Sequence, residues 1–407
     1  MRIVYLLPDP GIPVGGVKGA SVHVAEVCRA LSQAGAEVLL LAMRAVGDSP
    51  PGVELAVFGS GKLPSGAEGE LARERAVKDF FAWAGPRIAA FGAGVIYERL
   101  SLFAGSGGTL AARLGVPRLV EVNAPVAAER GRHFGLGHVE LAESAERAAL
   151  AGAAVIAISE PVAAWSRSRG AATVLIVPNG VDAERFAPER NAVAGEALRR
   201  RLGLEGSELI GFVGSLKPWH GVEVLLEATA QLASRRPLVQ LLVVGDGPGR
   251  ATLEAQAARG PLAGRCQLTG PVPSTAVPAY LAAVDVATAP YLHPGLAVGF
   301  YFSPLKVLEA MAAARPVVAS CFPSIKELLG GTGRLVAPAS SEGLATSLEE
   351  LLDHPERARA LGAAARARAI RFYSWSAVAA HILTAAKGGS PAGRTAAERP
   401  MGAKTSR

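Results

Sequence analysis

The residues best placed to do chemistry lie in the stretch 299–320, GFYFSPLKVLEAMAAARPVVAS. Ser303 and Pro304 make a favourable N-cap and first turn for a helix. Lys306 and Glu309 follow three residues apart, which sets them on one face of its first two turns. An ammonium beside a helix N-terminus suits a diphosphate, and a carboxylate one turn deeper suits a ribose diol. An ordinary amphipathic helix with an i,i+3 charge pair accounts for the same spacing. A second cationic stretch, GSLKPWHGVEVLL (214–226), places Lys217 and His220 in a strand-to-helix loop, where α/β sheets bind anions. A solvated loop anchored by Trp219 is the plain alternative. Two such loops in one repeat weigh more than either lysine alone.

Two glycine loops add less. PDPGIPVGGVKG (8–19) joins a first strand to a first helix, and Gly15-Gly16 lets backbone approach a phosphate there. Flexible glycine loops are common at that position, so the ligand role of Gly16 and a plain turn stay level. No GxGxxG fingerprint is present. In GDGPG (245–249) Arg250 occupies the place of a third glycine, and the motif reads as a structural turn.

The elements that position these residues alternate. β-rich runs such as RIVYLL and EVLLLA are separated by amphipathic helical stretches, the pattern of parallel sheets covered by helices. Strands are expected at 53–58, 95–97, 118–122, 155–158 and 174–177, with helices at 20–34, 70–91 and 139–150. The pattern restarts at LIGFVG (209–214). Strands follow at 240–244, 267–269, 286–289 and 316–319, with helices at 222–234, 251–259 and 304–313. Between the two series, VPNGVDAERFAPERNA is rich in proline and polar residues without a clean period, which places a domain boundary at 179–192. Helical sequence resumes at 343 and runs to 386. The fold class is therefore α/β, with two doubly wound units. Ligands of such sheets bind beyond the carboxyl ends of the strands.

Composition narrows the function. The 407 residues exceed what one core usually serves, so two domains are expected. The apolar stretch 148–159, bounded by Arg147 and Glu160, is too short to span a bilayer. The apolar start is too brief for an export signal, so a cytoplasmic protein is expected, with membrane association not indicated. Cys28, Cys266 and Cys321 have no paired spacing and read as core cysteines. The net charge of +7 is concentrated at the end: residues 1–180 carry +1, and those from Lys387 onward carry +4 in a Gly/Ala/Pro/Arg tail expected to be disordered. No basic face interleaved with aromatics supports nucleic-acid binding.

The order of GGVKG, VPNGVDAERF, GFVGSLKPWHGVEVLLEA, LLVVGDGP, VPAYLAAVDVATAPY, SPLKVLEAMAAARPVVAS and FYSW resembles glycosyltransferase family 4 over residues 1–386. The resemblance implies the GT-B fold, two Rossmann-like doubly wound domains facing across a cleft. It places an acceptor-side domain at 1–180 and a donor domain at 181–372. A helix at 373–386 would return to the first domain, and a tail would follow at 387–407. The implied reaction moves a sugar from a nucleoside-diphosphate sugar to a hydroxyl acceptor with retention of configuration, without a metal or other cofactor. Glu309 matches the second Glu of the family's Glu-x7-Glu motif, which holds the ribose. Ser303, Leu305 and Lys306 would lie along the diphosphate and sugar. The first Glu is Tyr301 here, and Ser215 and His220 stand where the family carries Arg and Lys. Lys217 is expected to supply the lost cation, with protonated His220 assisting. Asn123 falls where relatives carry a pocket His and is expected to face the transferred sugar. The catalytic set implied is Lys217, Glu309 and Asn123. A UDP-sugar is favoured over GDP-mannose. Tyr301 motivates the alternative, a GT-B sugar-nucleotide epimerase or a non-catalytic partner subunit.

Overall fold

The computed structural model describes residues 1–59, 61 and 66–388. Among these the chain forms two compact units. One gathers Met1–Asn179, Gly295–Ser303 and the stretch from Trp375, and the other gathers Gly180–Pro294 and Pro304–Ser374.

The first unit runs β1 (Arg2–Leu7), α1 (Gly19–Gln33), β2 (Glu37–Ala42), β3 (Val53–Val57), α2 (Gly66–Phe91), β4 (Val95–Arg99), α3 (Gly107–Leu114), β5 (Arg118–Val122), α4 (Val126–Phe134), α5 (Val139–Leu150), β6 (Ala154–Ala157), α6 (Glu160–Ser168) and β7 (Thr173–Ile176). Its seven strands are all parallel, in the order β3-β2-β1-β4-β5-β6-β7. Central strands buried on both faces need continuous apolar runs, which is why β1 and β2 bury five of their six residues. Apolar faces of α2 and α3 cover one region of the sheet through Phe80, Phe81, Ile88 and Leu110. A second cluster joins Val120, Val122, Ile158 and Trp165 to Leu296 and Tyr301 from the 295–303 segment.

The second unit runs α7 (Pro188–Leu202), β8 (Glu208–Val213), α8 (Val222–Ala233), β9 (Val239–Val244), α9 (Arg250–Ala257), β10 (Cys266–Leu268), α10 (Val277–Ala283), β11 (Val286–Ala289), α11 (Leu305–Ala312), β12 (Val317–Ser320), α12 (Pro323–Leu329), β13 (Arg334–Val336), α13 (Ser341–Asp353) and α14 (Pro355–Phe372). Its six parallel strands take the order β10-β9-β8-β11-β12-β13. Chain order reverses between β8 and β11, the switch point where such sheets bind ligands. The last helix, α15 (Trp375–Ala386), belongs to the first unit and packs on α1, with Trp375 edge-on to the His23 ring at 5.4 Å.

Several elements differ from the sequence reading. The proline-rich span is not all linker: Pro188 opens α7, where the missing N–H costs nothing, and the helix stops at Gly203. The helical stretch from 343 divides into three helices at His354-Pro355 and Tyr373-Ser374. The segment 295–303 groups with the first unit although it lies inside the stretch expected for the donor domain. Cys28 is buried, Cys266 is half-buried and Cys321, just past β12, is exposed, so Cys321 is not a core cysteine. The expected disorder of the tail falls, but for its first two residues, outside the described residues.

Candidate donor site and family

At the switch point of the second sheet, three loops close on one another. Leu216 N–H donates to the Asp246 carbonyl at 2.9 Å, and Gly249 N–H donates to the Leu216 carbonyl at 3.2 Å. A Cβ on Gly245 would stand 1.9 Å from the Gly214 carbonyl, so the ends of β8 and β9 meet only because no side chain intervenes. GDGPG thus braces the lysine loop. After Lys217 the chain makes one 3-10 turn, Pro218–His220, and Leu292 N–H, beyond β11, donates to the Trp219 carbonyl at 2.9 Å.

Lys306 lies in the first turn of α11. Its Nζ is 4.1 Å from the ring centre of Phe212 on β8, 4.8 Å from that of Tyr291 and 3.4 Å from His220 Nδ1. Lys217 Nζ rests over the Trp219 ring at 4.8 Å. Burial, and secondarily Lys217, lower the Lys306 ammonium to about 7, against the opposing pull of Glu309. Lys217, His220, Lys306 and Glu309 therefore influence one another at the carboxyl ends of β8 and β11. Leu305 opens α11 beside them. Lys306 thus stands against the Phe212 and Tyr291 rings and Lys217 against the Trp219 ring.

His220 departs from its expected role. Burial, then Lys306 and Lys217, push its ring well below the usual histidine value, so it is neutral at neutral pH. Nδ1 lies 2.5 Å from the Ser215 carbonyl, so it carries the proton and donates, leaving Nε2 as an acceptor. A neutral acceptor does not add charge against a phosphate.

Ser303 is not the N-cap of α11. The extended Pro304 holds that position without a side-chain bond, and the Ser303 hydroxyl instead accepts from Asn179 N–H at 2.9 Å. Tyr301 is fully buried in the first unit's core, its ring 4.2 Å from that of Phe302. At this position the chain uses an aromatic for packing in place of a carboxylate. Gly16 lies in the first unit in a tight turn, its N–H donating to the Pro13 carbonyl at 3.2 Å, and a Cβ there would stand 2.7 Å from Ser21 Oγ. Asn123 follows β5, and its Nδ2 is buried without a hydrogen-bond partner among the described residues. The structure thus gathers Lys217, His220, Leu305, Lys306 and Glu309 in the second unit and places Gly16, Asn123 and Ser303 in the first.

Sequence reasoning missed a buried polar cluster in the first unit. Glu121 on β5 accepts from Tyr5 at 2.7 Å, Tyr97 at 3.2 Å and Arg99 at 3.1 Å, and it pairs closely with His23 on α1. Burial raises that carboxyl, but His23, Arg99 and Tyr5 together outweigh it and hold the group far below the ordinary carboxylate range. The signal was legible: Glu98, Arg99 and Glu121 are charges inside the runs VIYER and RLVEV, which otherwise read as buried strands.

Comparison with known proteins agrees with this architecture. Residues 17–185 match the family model described as Glycosyltransferase Family 4, and residues 207–354 match Glycosyl transferases group 1. The chain is 31% identical over 276 residues to a GDP-mannose-dependent alpha-(1-6)-phosphatidylinositol monomannoside mannosyltransferase of Mycolicibacterium smegmatis, covering 66% of this chain and 69% of that protein. It is 35% identical over 184 residues to a 2-deoxystreptamine glucosyltransferase of Streptomyces kanamyceticus, covering 44% of this chain and 45% of that one. Among solved structures, sucrose-phosphate synthase from Thermosynechococcus elongatus superposes with a TM-score of 0.75 at 23% identity, covering 95% of this chain and 98% of that one. Two parallel doubly wound sheets, the paired family models and the mannosyltransferase relative lead to one assignment: the chain belongs to glycosyltransferase family 4 and is a glycosyltransferase of GT-B fold.

Proposed function

We propose that the chain transfers a hexosyl group from a nucleoside-diphosphate sugar to a hydroxyl acceptor with retention of anomeric configuration. The observation that carries this reading is the pairing of Lys306 and Lys217 at the switch point of the second sheet, beside the N-terminus of α11. Departure of the diphosphate concentrates negative charge on its β-phosphate. Lys306, Lys217 and the first amides of α11 meet that charge without reorganising. Glu309, one turn along α11, accepts from the ribose hydroxyls. Neutral His220 offers Nε2 to a hydroxyl or amide of the donor. The leaving phosphate accepts the proton of the incoming hydroxyl, so no carboxylate nucleophile is called for.

A GDP- or UDP-sugar fits the reading. The mannosyltransferase relative is named for GDP-mannose, which supports that donor, while the glucosyltransferase relative leaves a glucosyl donor in play. Their names also point to unlike acceptors, a phosphatidylinositol glycolipid and an aminocyclitol. No helix among the described residues is long and apolar enough to cross a membrane. The test is a screen of GDP-mannose, UDP-glucose and UDP-N-acetylglucosamine against both acceptor types, with the anomeric configuration of any product read by NMR. A product of the donor's own configuration, lost in Lys306→Met and Glu309→Ala, supports the reading. An epimerised nucleotide sugar, or no nucleotide binding by folded protein, would refute it.

A further inference from the structure

We propose that Phe212 is a positioning residue for the donor: the face of its ring fixes the Lys306 ammonium at the end of β8. This rests on the donor reading above, and every residue it uses lies in the second unit. Lys306 reaches from the first turn of α11 to that strand end because no side chain stands in its way. A Cβ on Gly214, the residue after β8, would lie 2.7 Å from Lys306 Nζ and 2.8 Å from its Cε, so the lysine passes over bare backbone. There the ammonium meets the Phe212 ring, centred 4.1 Å away, and the Tyr291 ring, centred 4.8 Å away. Phe212 is fully buried and packed in one core with Leu216 and Val222, which keeps its ring in place.

A second observation concerns what the ammonium does not touch. Among the described residues, no carbonyl or carboxylate accepts a hydrogen bond from Lys306 Nζ. Its polar neighbour is His220 Nδ1 at 3.4 Å, and that nitrogen already donates to the Ser215 carbonyl. A lysine paired with a carboxylate commits its hydrogens and its charge to that partner. One held by ring faces stays in place and keeps both for a ligand, and a diphosphate supplies the oxygens. The titratable groups that face Lys306 are Glu309 on α11, Lys217 and His220 in the loop after β8, and Tyr291 after β11. Burial lowers the ammonium to about 7, and the Phe212 quadrupole opposes that loss of charge.

The proposal is tested on the full chain by calorimetric titration with UDP-glucose and GDP-mannose, whose diphosphate diesters keep one charge between pH 6 and pH 8. In the parent, Kd should hold below about pH 7 and weaken above it as Lys306 loses its proton. Phe212→Leu removes the ring and keeps an apolar side chain. Loss of one desolvated cation–π contact corresponds to a roughly three- to tenfold change. The onset of weakening should therefore move to lower pH by about half a unit to one unit, with a larger loss of affinity at pH 8 than at pH 6. In a Lys306→Met background, which has no ammonium to hold, Phe212→Leu should add less than about twofold. If the Leu variant does not fold, Phe212→Met, closer to the ring in volume, carries the same cycle. Two results would overturn the proposal: an onset that stays in place or moves to higher pH, or a loss that adds in full to that of Lys306→Met, which is the signature of a merely structural ring. Lys306→Met also separates the two levels of inference. If it leaves Kd for both donors unchanged, the donor reading itself is wrong. If it weakens binding while the Phe212 variants leave the pH profile unmoved, only the positioning role falls.

Discussion

Lys306 shows how a single side chain trades stability for binding. Its ammonium is lowered to about 7 by burial, well under the roughly 10.4 of an exposed lysine. Between those values the unfolded chain holds a proton that the native chain does not, so this group makes stability rise with pH across that window. Lys306→Met, which removes a desolvated cation, is expected to raise the thermal midpoint by a few degrees while weakening nucleotide binding by about tenfold or more. Differential scanning calorimetry and titration on the same variant check both halves. A bound diphosphate favours the charged form, so at pH 8 the protein should take up a proton on binding. Titrations of GDP and UDP in two buffers of different ionisation enthalpy measure that uptake, and a buffer-independent enthalpy would contradict it. Tyr301 gives a third expectation. Restoring the family's carboxylate with Tyr301→Glu puts a charge into the core occupied by Val122, Ile158 and Trp165, and should destabilise the fold by about 3 kcal/mol or more. A gain in activity without that loss in a denaturant titration would show that the ring is dispensable there.

At the scale of elements, the donor loops depend on close backbone approach. Gly221 ends the 3-10 turn at φ 69°, and a Cβ on it would lie 1.8 Å from the Pro290 carbonyl. Gly221→Ala therefore meets both a left-handed backbone and a fixed oxygen. It should cost about 2–3 kcal/mol in urea unfolding and displace Lys217 and His220, weakening nucleotide binding alongside. Wild-type stability in this variant would mean the loop repacks freely. The elements themselves were well legible in the sequence: α5 and β5 fall where their periodicity put them. Weaker signals failed for stated reasons. β13, three residues long, carries no measurable alternation, and α7 hid behind prolines that serve as its N-terminus. Ser303 looked like a cap because Ser-Pro precedes an apolar helix, yet its hydroxyl is taken by Asn179, a partner no local pattern reveals.

At the scale of the whole molecule, each sheet has its own core, and the first also has a buried polar fastening. In the first unit Glu121 ties β1, β4, β5 and α1 together through Tyr5, Tyr97, Arg99 and His23. Its native carboxyl is held far below the unfolded value of about 4.3, so the stability it contributes is present above that value and is lost as pH falls below it. Glu121→Gln should lower stability by about 3 kcal/mol at pH 7, and the difference from the parent should shrink on acidification toward pH 3. A pH-independent difference in chemical denaturation would mean that the carboxylate's charge is not what matters.

The order of amino acids already contained the alternation of strands and helices, the two doubly wound units and the motif order that marks the family. Those follow from local periodicity and from residue types at fixed spacing, which are properties of neighbours in the chain. It also marked Lys217, His220, Lys306 and Glu309 as candidates. Tertiary structure alone decided that these four act on one another at the β8/β11 switch point, since the sheet order that joins them is not written in any local pattern. It also decided charge: burial beside two lysines makes His220 neutral, the reverse of the role expected from its residue type. Burial likewise turned Tyr301 into a core residue and bound Ser303 to Asn179, because contacts between residues more than a hundred apart depend on how the chain is packed and not on its spacing.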